Sequence, residues 1–241
     1  METEVKPYFF SFVIPAHNEE KYIGRTLDYI RKLDYPKDFF EVLVIENGSA
    51  DSTFKIAKTY DGKNTATIHS DERGVSRAKN LGMTKLSPKS EWVIFLDADT
   101  VLLPSFLPEI NAFLRRYSGD KLVIGTTSVK PLENQDWYAK IWMHIYDIGH
   151  KYTSTSLAIQ IMKTKMKEKA QFDVGLSLAE DLKFIRDLTK FGKFFYIDTD
   201  AVLTSTRRFD KIGWVTLFVK WNWDALVWKI KKTKKEYPVI R

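Results

Sequence analysis

The 241-residue chain is 44% hydrophobic and 29% charged, enough apolar material for one α/β domain and too much for a disordered chain. It has no cysteine, which excludes disulfides and thiolate metal sites and fits a reducing compartment. The formal charge of +7 belongs to the tail, where residues 206–241 hold ten Lys/Arg against three Asp/Glu, arguing against a nucleic-acid surface spread over the fold and for a local anionic partner.

Residues 8–14 form a short apolar run closed by Pro15 and predict a buried strand. Asn18 is placed to cap a helix over 19–33, where Tyr22, Ile23, Leu27 and Ile30 recur at helical spacing. A second strand is expected at 40–45, then the turn Asn47-Gly48-Ser49 and a helix over 52–60 starting under Asp51 or Ser52. Residues 65–70 predict a weaker strand, 74–83 a short helix, and 92–96 a very apolar strand running into Asp97-Ala98-Asp99. A helix at 104–117, a strand at 121–129, an amphipathic stretch at 137–152, a strand at 157–162, a helix at 178–190 and a strand at 194–197 complete the core. Strands alternating with helices predict a mostly parallel α/β sheet covered on both faces. No internal repeat or low-complexity linker interrupts the chain, so residues 1–211 are expected to form one domain with 212–241 as an appendage.

Asp97 and Asp99 stand at the C-terminal end of an apolar strand, the edge of an open parallel sheet where ligands bind. Two carboxylates so spaced can share a divalent cation with a diphosphate, although taken alone they also fit a solvated turn. The four histidines (His17, His69, His144, His150) show no metal-ligand spacing, so a cation here is expected on oxygen ligands, as Mg2+ or Mn2+. Glu180-Asp181 opens a predicted helix after Phe172-Asp173-Val174-Gly175. A carboxylate there can take a proton from an attacking hydroxyl, or can simply complement the helix dipole. Where dinucleotide oxidoreductases and nucleotidyltransferases carry a Gly-rich loop, this chain has Pro15-Ala16-His17-Asn18-Glu19.

Taken in order, these segments resemble glycosyltransferase family 2. Phe12-Val13-Ile14-Pro15-Ala16-His17-Asn18-Glu19-Glu20 resembles the family's opening, residues 44–53 its second strand and turn, and residues 74–82 its third block. Asp97-Ala98-Asp99 stands where its metal motif belongs, Glu180-Asp181 where its catalytic-base motif belongs, and residues 204–209 resemble a segment following the last core strand in some members. The resemblance implies a GT-A fold, in which a Rossmann-like nucleotide-binding half (about 1–103) joins an acceptor-facing half (about 104–211). It further implies an inverting, metal-dependent transfer from a UDP- or GDP-sugar. By position, Pro15, Glu19, Glu46 and Asn47 would line the base and ribose pocket, and Lys79 and Asn80 would lie on the diphosphate side. Asp97 and Asp99 would hold Mg2+ or Mn2+, Asp181 would act as base with Glu180 orienting it or the acceptor, and Arg207 and Arg208 would hold an anionic diphosphate or acceptor phosphate. Glu46-Asn47 replaces the more usual Asp-Asp, which leaves uridine and guanosine both open, and no Gln-x-x-Arg-Trp motif of processive synthases is present. An inactive sugar-nucleotide-binding or membrane scaffold of the same fold is the alternative reading.

Residues 212–232 predict a helix with Trp214, Phe218, Trp221, Ala225 and Trp228 on one side, ahead of a lysine-rich run. Lys220 and Asp224 break the apolar stretch, so the expectation is a helix lying on an anionic membrane surface rather than crossing it. The acceptor is then expected to be lipid-linked or a glycan, and the protein to be cytoplasmic and peripheral at the inner face of the membrane. Trp137, Ile141, Ile145 and Ile148 make a second apolar face, expected to pack on the sheet.

Overall fold

A computed structural model of the chain describes residues 6–133, 136–176, 179–217 and 219–220. In chain order the elements are β1 (Phe10–Ala16), α1 (Ile23–Arg31), β2 (Phe40–Asn47), α2 (Thr53–Lys58), β3 (Thr65–Ser70), α3 (Val75–Thr84), β4 (Trp92–Leu96) and β5 (Thr100–Leu102). There follow α4 (Phe106–Arg116), β6 (Leu122–Thr127), β7 (Lys130–Pro131), α5 (Trp137–Thr153), β8 (Ile159–Lys163), α6 (Glu180–Thr189), β9 (Lys193–Ile197), β10 (Val202–Thr204) and α7 (Arg207–Ile212). Seven strands form one sheet in the order β3-β2-β1-β4-β8-β6-β9. Only β8 runs against its neighbours, pairing antiparallel with β4 and β6, so the expected mostly parallel α/β sheet is borne out.

Strand parity builds the two cores. Phe10, Phe12, Ile14, Val42, Val44, Ile94 and Leu96 face one side, where α1 and α4 cover them with Leu27, Ile30, Phe106, Ile110 and Leu114. Val13, Leu43, Ile45, Val93 and Phe95 face the other, against Ala78 and Met83 of α3 and Phe184, Ile185 and Leu188 of α6. All of β4 is buried, each large apolar side chain contributing roughly 1.5–3 kcal/mol over exposure. On the second face α3 lies so close to β1 that a Cβ on Gly82 would come 2.3 Å from Val13 Cγ1, and glycine is what permits the approach.

A second sheet, ordered β5-β10-β7, was not expected from the sequence. Its strands are too short to carry a hydrophobic period: β7 has two residues and β5 and β10 three each. It pairs β10 antiparallel to β5 and parallel to β7.

Four expectations are corrected. Asn18 does not cap the first helix. It adopts φ +55°, its Oδ1 accepts the Ala50 N–H at 2.8 Å, and α1 starts only at Ile23 after Glu19 O has closed a turn on Tyr22 N and Ile23 N. The 137–152 helix does not lay its isoleucine face on the sheet: Trp137, Ile141 and Ile148 are exposed. Instead α5 buries Ala139, Met143 and Tyr146 against Phe209, Trp214 and Leu217. Trp214 is therefore core rather than membrane-facing, while Val215 and Val219 are exposed on the same segment. The expected helix starting at Ile212 is also interrupted, because α7 ends there and Gly213 takes φ +97°. Phe218, Trp221, Ala225 and Trp228 lie outside the described residues. Among the described residues no helix is long and apolar enough to cross a membrane.

Candidate functional site

Asp97, Ala98 and Asp99 leave the C-terminal edge of β4 in a turn held from three elements. Asp97 N donates to Ala158 O before β8 (3.0 Å), Thr100 N at the start of β5 donates to Asp97 O (3.1 Å), and Thr26 Oγ1 on α1 donates to Ala98 O (2.7 Å). Facing this turn, α6 begins at Glu180, with Asp181 in its first turn, after Ala179 in the left-handed region at φ +61°. Lys79 arrives from α3 beneath both. Its side chain is 5% exposed, its Nζ lies 2.7 Å from Asp181 Oδ1 and 4.8 Å over the Phe172 ring. That ring stacks on Phe184 at 3.9 Å. Lys79, Asp97 and Asp181 thus share the walls of one small recess, together with Phe95, Ser156 and Gln160.

The small sheet delivers the arginines. β5 follows Asp99 directly and β10 precedes Arg207, so their pairing, with Thr100 Oγ1 2.8 Å from Thr204 Oγ1, folds residues about a hundred positions apart onto one turn. Ser205 N donates to Asp99 O at 3.3 Å, and Thr206 N donates to Glu133 Oε2 at 2.9 Å. Arg207 Nη2 then reaches Glu19 Oε1 at 2.6 Å and Asp99 Oδ2 at 3.1 Å, with its guanidinium 4.4 Å over the Tyr22 ring. The positive charge of Arg208 acts on Asp97 and Asp99.

Five carboxyls (Glu19, Asp97, Asp99, Glu180, Asp181) and three cations (Lys79, Arg207, Arg208) therefore converge. Burial pushes Asp97 up to about 6 against the pull of Lys79, with Asp99 and Asp181 repelling its charge. Burial also takes Asp99 to about 6 in spite of Arg207, and Glu180, next to Asp181, to about 7. Glu19 is raised for the same reason, burial outweighing its bond to Arg207. Burial alone would lower Lys79, but Asp181, Asp97 and Glu180 overcome it and hold the ammonium charged.

Buried carboxyls short of counter-charge favour a bound cation. Among the described residues no group of three or more His, Cys, Asp or Glu could hold a metal by itself. Asp97 and Asp99 nonetheless fit the hard-cation pattern in which one or two carboxylates share Mg2+ or Mn2+ with phosphate oxygens and water.

The residues expected at the nucleotide lie along the same edge but are more enclosed. Pro15 is the penultimate residue of β1, in register with Ile45. Glu46 is buried, with its carboxylate accepting Ser49 N–H and meeting His69 Nδ1, each at 2.5 Å. Burial would raise Glu46, but these bonds hold it below the usual carboxylate range, and its bond to His69 raises the imidazole in return, helped by Asp71. Asn47 is buried, its carbonyl 3.0 Å from His17 Nδ1. Asn80 is occupied elsewhere: its amide donates to Phe172 O at 2.8 Å and accepts Phe172 N–H at 2.9 Å.

Sequence reasoning missed Tyr22, His69 and Gln160. His69 could have been found from strand register, since it pairs with Glu46 across β2 and β3. Gln160 is the lone polar residue inside Ile159-Gln160-Ile161-Met162, a signal the strand prediction passed over.

The sequence model of the glycosyl transferase family 2 matches residues 11–174, more than half of the chain. The chain belongs to glycosyltransferase family 2. Its relatives include the poly(ribitol-phosphate) beta-N-acetylglucosaminyltransferase TarS of Staphylococcus aureus, 30% identical over 118 residues, or 48% of this chain and 20% of TarS. Another is the dolichyl N-acetyl-alpha-D-glucosaminyl phosphate 3-beta-D-2,3-diacetamido-2,3-dideoxy-beta-D-glucuronosyltransferase of Methanococcus voltae, 24% identical over 80% of this chain and 65% of that protein. The chain thus spans about a fifth of TarS. Among solved structures, the S. aureus TarS fragment 1–349 in complex with UDP-GlcNAc superposes with a TM-score of 0.67 at 22% identity, covering 83% of this chain and 59% of that one. The Pyrobaculum calidifontis mannosyltransferase PcManGT, in complex with GDP-Man and Mn2+, gives 0.62 at 18% identity, with 84% and 59% covered. These likenesses show the shared GT-A fold.

Proposed function

We propose that this protein is an inverting glycosyltransferase that moves a sugar from a UDP- or GDP-sugar to an acceptor hydroxyl or phosphate. The observation that carries the reading is the joint recess of Asp97 and Asp181, with Lys79 in its wall paired to Asp181. In-line displacement needs a leaving-group site and a proton acceptor about one carbon, and this recess is lined by a carboxyl for each role, Asp97 and Asp181. Asp97 and Asp99 would hold Mg2+ or Mn2+, which when bound would neutralise charge developing on the departing diphosphate. Arg207 and Arg208 supply guanidinium forks to the same anion. Pro15, Glu19, Glu46 and Asn47 shape the nucleoside side and Lys79 the diphosphate side, while Asn80 supports that side through its two bonds to the Phe172 backbone. Asp181 accepts the proton of the attacking hydroxyl, and Glu180 orients the acceptor.

A second assignment of the base is favoured by one observation. Asp181 is tied to the buried Lys79 at 2.7 Å, whereas burial raises the proton affinity of Glu180 beside it. Asp181→Asn and Glu180→Gln separate the two, because loss of kcat with donor affinity kept marks the base.

The donor reading is tested by titrating the full chain with UDP and with GDP, each with and without Mn2+. Metal-dependent binding of one nucleotide is the expected result, and binding of neither overturns the transferase in favour of a scaffold of the same fold.

The acceptor is lipid-linked or a glycan at a membrane surface. The Methanococcus voltae relative's name places a dolichyl phosphate sugar in its reaction. Here Trp137, Ile141, Ile148 and Tyr152 form an exposed apolar stripe on α5 beside Lys140 and Lys151, and the basic tail follows. Aromatic and aliphatic residues fringed by lysines suit an anionic headgroup region, at the inner face of the membrane for a cytoplasmic protein. Flotation with anionic but not neutral vesicles is expected, and equal flotation with both removes the reading.

A further inference from the structure

We propose that Gln160 reads the transferred sugar, its side-chain amide hydrogen-bonding to a hydroxyl or N-acyl amide of that sugar inside the recess. The inference rests on the transfer reading above.

Gln160 lies in β8 between Ile159 and Ile161, opposite Phe95 in register, and is 2% exposed. Its Nε2 donates to Ser156 Oγ at 2.8 Å. Its Oε1 is buried and finds no hydrogen-bond partner among the described residues. Turning the amide over would exchange the two atoms and leave the other one unpaired, because Ser156 satisfies one end. A glutamine in this position is unfavourable by itself, since a buried polar atom without a partner is costly and an apolar side chain of similar volume would fill the space better. The imbalance disappears when a ligand brings the missing partner.

The recess says which part of a ligand that is. In an in-line displacement the anomeric carbon lies between the leaving oxygen and the attacking oxygen. Asp97 marks the diphosphate side and Asp181 the attacking side, and both line the recess that Gln160 and Ser156 also line. The group between them is therefore the sugar being transferred, not the nucleoside and not the distal acceptor. The distance from Asp97 is fixed as well. Ala158, two residues before Gln160, accepts Asp97 N–H at 3.0 Å while held at φ +61°, a conformation an alanine adopts only where its surroundings demand it.

The test compares the wild-type chain with Gln160→Met, which keeps volume and removes the amide, and Gln160→Asn, which keeps the amide and shortens its reach. Each is titrated with UDP, GDP, UDP-GlcNAc, UDP-glucose and GDP-mannose in Mn2+, and melted in parallel. Both variants should bind the free nucleoside diphosphate within about twofold of wild type and lose roughly 5- to 100-fold in affinity for the matching nucleotide sugar, the range an unmade buried hydrogen bond supports. Gln160→Met should melt no lower than wild type, since it removes the unpaired atom. Equal effects on nucleotide and nucleotide sugar, or no effect on either, overturn the assignment and leave the transferase reading standing. A wild-type protein that binds no nucleotide overturns both.

Discussion

Lys79 is the residue through which the site's stability and chemistry are coupled, and its removal has a calculable outcome. Lys79→Met keeps most of the side-chain volume and sets a thioether near the Phe172 ring in place of the ammonium, so the packing loss is small. What is lost is the charge facing Asp181, Asp97 and Glu180. Breaking a buried ion pair costs about 3–5 kcal/mol. Asp181 is 36% exposed and recovers part of that from water, so about 2–4 kcal/mol is expected. Asp181→Asn orphans a lysine that is only 5% exposed, but Asp97 and Glu180 still face it. The double variant should then be more stable than the sum of the singles predicts, by about 1–3 kcal/mol. The Lys79→Met penalty should also depend on pH. Glu180 is raised by burial to about 7 from 4.5 and Lys79 is what restrains it. A carboxyl with a raised folded value stabilises fully below its unfolded value and loses that contribution as pH rises through the folded one. Without Lys79 the loss deepens, so the penalty should be smallest near pH 5 and largest near pH 8. Urea unfolding of the four proteins in metal-free buffer at both pH values measures this. Additive singles, or a penalty that is flat with pH, would refute the reasoning.

Other outcomes are equally specific. Asp147 on α5 is buried, accepts Val129 N–H at 3.0 Å, and is pushed up by burial to about 7 from 3.8. Its stabilising contribution is therefore lost as pH rises through about 7. Asp147→Asn, whose carbonyl keeps the Val129 bond, should gain about 2–4 kcal/mol over wild type at pH 8 and almost nothing below pH 4, by denaturant midpoints. Gly82→Ala should cost about 1–3 kcal/mol, because the new methyl meets Val13 Cγ1 at 2.3 Å; a thermal melt equal to wild type would show that α3 can retreat from β1. Asp99→Asn should leave the fold as stable or more so, since it removes a buried carboxyl. It should also reduce the Mn2+-dependent part of nucleotide affinity by roughly 10- to 100-fold, read by titration with and without the metal.

The sequence by itself determined the parallel sheet and its chemistry-bearing edge. Strands such as Trp92–Leu96 are buried on both faces, so their apolar runs are continuous and need no context to be read. The family resemblance ran in the same order along the chain because each block ends a core strand or opens a helix. Local capping was read less well: Asn18 spends its side chain on Ala50 across a loop rather than on its own helix, a choice local propensity cannot see. Which face of α5 is buried was also beyond periodicity, since both faces carry apolar residues and only the presence of Phe209, Trp214 and Leu217 selects Ala139, Met143 and Tyr146. Tertiary structure alone decided how the site closes. Strands of two and three residues, below any sequence period, bring Arg207 onto Asp99 and Glu19. A lysine from α3 is buried only because carboxyls from two distant segments meet above it. Those partners are far apart in sequence, and the field that shifts each of them exists only after the chain has removed them together from water.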